Sequence, residues 1–100
     1  MRTLPEFIMQ NPESWKAFGI ANKVITALYI TDTPLTEEEV AEILKKELSE
    51  AQVITNLKYL HKNSQEIEII ENSEGKKYFL TPQARESFGV LYDRKTRKQI

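Results

Sequence analysis

Residues 36–62, TEEEVAEILKKELSEAQVITNLKYLHK, contain two helix-start signals in close succession. Thr36 lies three positions before Glu39, and Ser49 lies three positions before Gln52, which is the spacing of a capping box. Apolar residues then recur at helical spacing: Val40, Ile43 and Leu44 in a first helix that runs to about Glu47, and Val53, Leu57 and Leu60 in a second. Two capped amphipathic helices joined by so short a turn predict a helix-turn-helix.

Further helix signals precede this segment. Thr3 and Glu6 have capping-box spacing, and Asn11 stands before Pro12 as the predicted cap of a second short helix. From about Gly19 to Ile30 the apolar spacing predicts a longer helix. Its predicted buried face holds Ile20, Ala21, Val24, Ala27 and Leu28, and its predicted solvent face holds Asn22, Thr26 and Tyr29.

After the helix-turn-helix, the apolar pattern changes from a helical period to alternation. Residues 67–71 (IEIIE) and 76–80 (KKYFL) are typical of two strands, and residues 72–75 (NSEG) of a four-residue loop that needs a glycine. Thr81 and Pro82 then start a last helix, whose apolar stripe consists of Ala84, Phe88, Leu91 and Tyr92. The basic residues Arg94–Lys98 have no apolar partners, so we predict that they fray.

The order helix, helix, turn, helix, hairpin, helix is that of a winged helix-turn-helix domain. Residues 78–88, YFLTPQARESF, resemble the end of the wing in repressors of the multiple-antibiotic-resistance and phenolic-acid types, where a strand ends in Leu-Thr and leads into a helix. Residues 35–60 resemble the helix-turn-helix of the same families. The chain departs from these families in two places. It has Ala84 where they usually carry Gly. Its connection from the recognition helix to the wing, residues 62–66, is longer and more polar than the Gly-Leu-Ile-like connection of those families.

The resemblance and the element order predict an α+β fold with three helices in the core, a β-hairpin wing and a C-terminal helix. We assign this winged helix-turn-helix domain to residues 19–92, an N-terminal helical extension to residues 1–18 and a basic tail to residues 93–100. One hundred residues make one such domain, because a chain this short cannot fill two separate cores. The resemblance implies a DNA-binding repressor.

Composition excludes several classes of protein. A hydrophobic fraction of 40% is too high for intrinsic disorder, and no apolar run reaches the roughly 18 residues that span a bilayer. The absence of cysteine excludes disulfide scaffolds and thiolate chemistry, and the cytoplasm is the expected location. The net charge is −1, but acidic and basic residues are unevenly distributed along the chain. Residues 36–75 hold ten acidic and four basic side chains, and residues 76–100 hold two acidic and seven basic ones.

No residue pattern indicates catalysis or a metal site. His61 is the single histidine, and aspartate occurs only at Asp32 and Asp93, so a metal centre or a catalytic dyad lacks partners. The acidic run Glu37–Glu39 is explained by the helix dipole, which favours carboxylates in a first turn. We therefore predict a protein that is not an enzyme and that needs no cofactor.

The predicted DNA-binding residues are Gln52, Thr55, Lys58, Tyr59 and Lys62 on the recognition helix of residues 49–62, and Lys76 and Lys77 on the wing of residues 71–77. These side chains pair with base edges, neutralise phosphates or reach backbone oxygens. The prediction is a transcriptional regulator that binds double-stranded DNA sequence-specifically. The prediction of DNA binding is weakened by three nearby carboxylates that would repel phosphate: Glu50, Glu71 and Glu74. The alternative is a winged helix that serves protein–protein contacts without DNA binding.

The sequence also suggests a homodimer. Five apolar residues lie outside the minimal three-helix core with its wing: Leu4, Phe7, Ile8, Trp15 and Phe18. Val90 points away from the stripe of its own helix. One small core has little room for all of them, so the terminal helices of two protomers are expected to pack together. The alternative is that the N-terminal segment folds back onto its own domain.

Overall fold

The computed structural model describes residues 3–90. Their elements follow the predicted order: α1 (Leu4–Gln10), α2 (Pro12–Ala17), α3 (Ile20–Thr31), α4 (Glu37–Ile43), α5 (Glu50–Asn63), β1 (Ile67–Asn72), β2 (Gly75–Leu80) and α6 (Pro82–Phe88). This order confirms the α+β winged-helix fold. The predictions for Leu91, Tyr92 and the tail of residues 93–100 lie outside the described residues.

Side-chain caps start four of the helices where the sequence predicts. The hydroxyl oxygens of Thr3, Thr36, Ser49 and Thr81 accept hydrogen bonds from backbone N–H groups in the first turns of α1, α4, α5 and α6. The boxes at Thr36 and Ser49 are reciprocal, because the side chains of Glu39 and Gln52 each accept from the backbone N–H of the cap. Asn11 does not cap α2 with its side chain. Its Nδ2 instead donates to the Phe7 carbonyl at 3.3 Å, because Asn11 also terminates α1.

Helix α4 ends at Ile43, earlier than the predicted Glu47. Leu44 leaves the helical conformation, and the backbone N–H groups of Glu47 and Leu48 both donate to its carbonyl. A tertiary contact holds the resulting turn: Trp15 Nε1 donates to the Glu47 carboxylate at 3.1 Å, and Lys23 Nζ lies 3.9 Å from the same carboxylate. The N-terminal helices therefore help to fix the turn that leads into α5.

The hairpin turn is shorter than predicted. β1 and β2 pair in antiparallel register from Ile67↔Leu80 to Asn72↔Gly75, which leaves a two-residue turn, Ser73-Glu74, in place of a four-residue loop. Gly75 has a φ of 123°, where a side chain is strained, so the glycine is required as predicted. The Asn72 side chain accepts from Glu74 N at 2.9 Å and stabilises the turn.

An isolated antiparallel bridge lies on the other edge of β2. The backbone groups of Leu35 and Tyr78 exchange two hydrogen bonds, with Leu35 N donating at 2.9 Å and Tyr78 N donating at 2.7 Å. This bridge joins the segment before α4 to the wing strand. The hairpin is thereby attached to the helical core by backbone as well as by side chains.

The N-terminal segment folds back onto its own domain. Phe7, Trp15 and Phe18 are buried, and the rings of Phe7 and Phe18 lie 5.7 and 6.2 Å from the ring of Phe88 on α6. Leu4 and Ile8 pack partly against the same core. These five side chains pack within their own domain and therefore do not require a second protomer.

Helix α3 is buried on more sides than its sequence pattern predicts. Thr26 is fully buried, and its hydroxyl donates to the Asn22 carbonyl at 2.7 Å, so the expectation that Thr26 faces solvent is wrong. Tyr29 is half-buried, with its ring 4.9 Å from that of Phe88. Helix α3 packs against α5, β2, α4 and α1, and Tyr29 also meets α6, so little of the surface of α3 is left to solvent.

Arg85 connects α6 to the C-terminal end of α3 through hydrogen bonds. Its guanidinium donates to the carbonyls of Tyr29 at 2.7 Å and Leu28 at 3.0 Å, and to the Asp32 carboxylate at 2.9 Å. A cation near the last carbonyls of a helix also interacts favourably with the helix dipole. Asp32 itself adopts a left-handed conformation that ends α3.

Candidate nucleic-acid interface

Helix α5 separates an apolar face from a polar one. Val53 and Leu57 are fully buried and Leu60 nearly so, because their spacing places them along one side of the helix. The opposite side carries the five predicted recognition residues, all exposed: Gln52, Thr55, Lys58, Tyr59 and Lys62. Tyr59 is 60% exposed, which is unusual for an aromatic side chain. The structure thus brings the five together on one accessible helix face.

Gln52 has a structural role that limits how it reads a base. Its Oε1 accepts from Ser49 N at 2.9 Å, while its own backbone N donates to Ser49 Oγ at 3.1 Å. The amide oxygen is therefore used by the capping box, and the amide NH2 group of this exposed side chain remains as a hydrogen-bond donor. The sequence itself indicates this capping role of Gln52, because Gln at the third helical position is part of the capping-box pattern.

The wing carries charges of both signs. Lys76 is exposed and lies opposite Glu71 across the hairpin, whereas Lys77 is half-buried opposite Ile70. Glu68 and Glu74 are also exposed on the hairpin, so the two lysines are outnumbered by three carboxylates. Cross-strand neighbours of opposite charge attract each other, and the positive potential of Lys76 toward a phosphate is correspondingly reduced.

One buried side chain sets the position of the wing relative to the helix-turn-helix. Tyr78 on β2 is fully buried, and its hydroxyl donates to Glu37 Oε2 on α4 at 2.9 Å. Burial, with the adjacent Glu37 carboxylate as the second cause, raises the pKa of Tyr78 to about 12. This hydrogen bond and the Leu35–Tyr78 bridge together connect β2 of the wing to α4 and to the segment before it. Glu37 thus has a partner that the sequence pattern did not reveal.

A comparison with solved structures finds a related fold. The ferric uptake regulator Fur of Helicobacter pylori, a protein with three functional metal binding sites, superposes with a TM-score of 0.54 at 28% sequence identity. The chain resembles a known regulator. The match covers 79% of this chain and 58% of Fur, so the chain spans less than two thirds of that protein. No family model and no curated protein matches the sequence.

The likeness to Fur supports the winged-helix fold. It leaves the narrower resemblance to multiple-antibiotic-resistance and phenolic-acid repressors untested. Between residues 3 and 90, no group of three or more His, Cys, Asp or Glu side chains is placed to hold a metal ion. His61 is exposed, with its Nδ1 3.4 Å from the Ile67 carbonyl oxygen.

Three of the four acidic residues of α4 have structural partners. Glu37 accepts from Tyr78, Glu39 completes the capping box and Glu42 pairs with Lys45 at 2.7 Å. These contacts agree with the interpretation of the acidic run as a capped helix start. None of the helices within residues 3–90 is long and apolar enough to cross a membrane.

Proposed function

We propose that this chain is a transcriptional regulator that binds double-stranded DNA sequence-specifically through α5. The observation that carries the proposal is the exposed face of α5, with two lysines, an exposed tyrosine and short polar side chains opposite a fully buried apolar face. A helix of this kind fits the major groove, and its N-terminal residues come closest to the base edges. The likeness to Fur supports the same class of function.

The exposed face divides into two parts by position along α5. Gln52 and Thr55 lie in the first two turns, where a recognition helix contacts bases, and each offers a hydrogen-bond donor. Lys58 and Lys62 lie further along and neutralise phosphates, which sets affinity and salt dependence. Tyr59 reaches a backbone oxygen through its hydroxyl. In this proposal the wing residues Lys76 and Lys77 contact the flanking backbone, and the protein acts in the cytoplasm as a homodimer.

Selection of bound fragments from random duplex DNA tests the proposal. A sequence-specific regulator enriches one site, and a homodimer enriches a site with two-fold symmetry, because the half-sites follow the symmetry of the protein. Affinity for random duplex should also fall steeply as salt is raised. If no sequence is enriched and the chain does not bind duplex DNA at low salt, the proposal is wrong.

Gln52 provides the sharpest test of base reading. The Gln52→Glu variant keeps the capping box, because a glutamate at this position also accepts from Ser49 N, but it lacks the amide donor. We expect the preference for the selected site over random duplex to fall by about 1–3 kcal/mol. The added negative charge weakens binding to all sequences alike, so the ratio of the two affinities is the quantity to measure.

The Gln52→Ala variant serves as the comparison for Gln52→Glu. It loses the same amide donor without adding a charge, and it also loses half of the reciprocal cap, which costs about 0.5–2 kcal/mol of stability. Both variants should therefore lose selectivity, and only Gln52→Ala should be less stable in urea. An unchanged selectivity in both would show that α5 does not read a base through Gln52.

The salt dependence of binding tests the wing. With Lys58, Lys62, Lys76 and Lys77 on phosphates, one protomer should show a slope of log affinity against log salt of about −4. Replacing Lys76 and Lys77 by alanine should reduce the magnitude of that slope by roughly 2 and weaken all sequences about equally. The double variant Lys58→Ala, Lys62→Ala is the matched control on α5. A slope that changes in the control alone would place only α5 on the DNA.

A protein-contact module is the second candidate. The three exposed carboxylates of the hairpin and the exposed Ile70 favour it, because such a surface repels phosphate and offers an apolar contact. The same DNA experiments separate the two candidates. A chain that binds neither heparin nor duplex DNA at low salt is a protein-contact module.

A further inference from the structure

The side-chain amide of Gln52 has a fixed orientation in the first turn of α5. A backbone N–H group donates and never accepts, so the atom that lies 2.9 Å from Ser49 N is the amide oxygen. Exchanging the amide oxygen and nitrogen would break this hydrogen bond. The second bond of the capping box, from Gln52 N to Ser49 Oγ at 3.1 Å, holds the same turn. The box therefore leaves this exposed side chain with a donor to offer to a ligand.

This orientation decides which base edges Gln52 can bind in the major groove. An unconstrained glutamine pairs with adenine through two hydrogen bonds: its NH2 group donates to N7, and its oxygen accepts from the N6 amino group. The second bond requires the amide oxygen to face the base, whereas in this chain the oxygen faces Ser49 N. The amino group of adenine would then meet the NH2 group of Gln52, a donor against a donor. Adenine is therefore a poor match for this glutamine.

Guanine is the base whose edge matches a side chain that only donates. It presents two acceptors in the major groove, N7 and O6, and the amide NH2 group carries two hydrogens. Thymine presents the single acceptor O4, and cytosine presents an amino donor. A donor-only side chain therefore forms the most hydrogen bonds with guanine and the fewest with cytosine.

The other exposed side chains of α5 do not make this choice in the same way. The hydroxyl of Thr55 both donates and accepts, so it binds either kind of base edge. Lys58 and Lys62 only donate, but they lie further along the helix, where a recognition helix approaches the phosphate backbone. Selection of one base by donor pattern therefore falls to Gln52.

We infer that Gln52 selects a guanine in the DNA site and rejects adenine and cytosine at that position, because the capping box has fixed it as a donor. This inference rests on the proposed function, since it names the base that the proposed recognition helix reads. A good base contact discriminates against the wrong base by about fivefold to 150-fold in affinity. Replacing the guanine of the bound site by cytosine should therefore weaken the parent by a factor in this range.

Selection from random duplex DNA with the parent and with Gln52→Glu tests the inference. A glutamate here accepts from Ser49 N with one carboxylate oxygen and presents the other as an acceptor, and such a carboxylate pairs with N4 of cytosine. We expect the parent to enrich guanine at one position of its site and Gln52→Glu to enrich cytosine at the same position. The remaining positions should be unchanged, because the fold and the cap are kept. Circular dichroism checks that the variant is folded.

Lys58→Ala is the matched control for the change of base. It removes a donor from the same exposed face of α5, and in the proposed function that donor contacts a phosphate. The variant should bind all sequences more weakly and still enrich guanine at the position that responds to Gln52→Glu.

A base analogue tests the same contact without changing the charge of the protein. 7-Deazaguanine pairs with cytosine as guanine does but lacks the N7 acceptor. In place of the selected guanine it should weaken binding of the parent by about two- to tenfold, the effect of one hydrogen bond. It should not weaken Gln52→Ala further, because that variant has already lost the donor, so the two changes together measure the contact between Gln52 and N7.

Three results would overturn the inference: a parent site in which no guanine depends on Gln52, a Gln52→Glu variant that enriches the parental base at every position, or an analogue that weakens the parent and Gln52→Ala alike. These results leave the proposed function in place, because the chain still enriches one DNA sequence. A parent that enriches no sequence contradicts the proposed function and the inference together.

Discussion

Replacing Phe7 with alanine is expected to lower the free energy of unfolding by about 3–5 kcal/mol, the range for a phenylalanine removed from a core. Phe7 is fully buried against the aromatic rings of Phe18 and Phe88, so its loss leaves a cavity between α1 and α6. Urea unfolding of the full chain measures the change. This effect is the largest that we expect from a single substitution, although Phe7 lies outside the helices that define the fold.

Met9→Ala is the control for this prediction, because Met9 lies two residues further along α1 and is largely exposed. It should leave the stability of the monomer nearly unchanged, measured at a concentration where the chain does not associate. A small effect of Phe7→Ala, similar to that of Met9→Ala, would mean that the N-terminal segment is an appendage and not part of the core.

Raising the pH from 10 to 12 should remove about 2 kcal/mol of stability through Tyr78. In the folded chain the pKa of Tyr78 is raised to about 12, whereas the phenol of the unfolded chain titrates near 10. Below pH 10 both states hold the proton, and this contribution to stability is complete. Between pH 10 and 12 the unfolded chain releases the proton while the folded chain retains it, so stability declines as the pH rises through the folded pKa.

Tyr78→Phe isolates this contribution. The variant should be less stable than the parent at pH 8, because the hydrogen bond to Glu37 is lost, but its urea midpoint should decline less between pH 10 and 12. The measured quantity is the difference between the two declines, since other groups titrate in the same range in both proteins. Equal declines in parent and variant would show that Tyr78 does not couple the wing to α4 in this way.

The helix starts are predictable from the sequence because capping is local. At Thr36 and Ser49 the hydroxyl, the backbone N–H that it accepts from and the side chain that returns the bond all lie within four residues. The buried face of α5 was predictable for a similar reason, since the spacing of Val53, Leu57 and Leu60 places them on one side whatever packs there. The exposed face opposite, which holds the candidate DNA-binding residues, follows from the same spacing.

Other features depend on partners that are distant in the sequence. Thr26 is buried because α3 is packed among several other elements. Glu37 is paired with Tyr78, which lies 41 residues further along the chain. The turn after α4 is held by Trp15 and Lys23, which come before α4 in the sequence. No local pattern encodes these contacts.

The amino-acid sequence by itself therefore determined where the helices and strands begin, the two faces of α5 and the order of elements in the winged helix. Only the tertiary structure decided that Phe7, Trp15 and Phe18 belong to the core, that the wing is joined to α4 and that Met9 is left outside. The physical reason is one of range. Caps, turns and helical periodicity depend on groups a few residues apart, whereas burial depends on which distant segment fills the space beside a side chain.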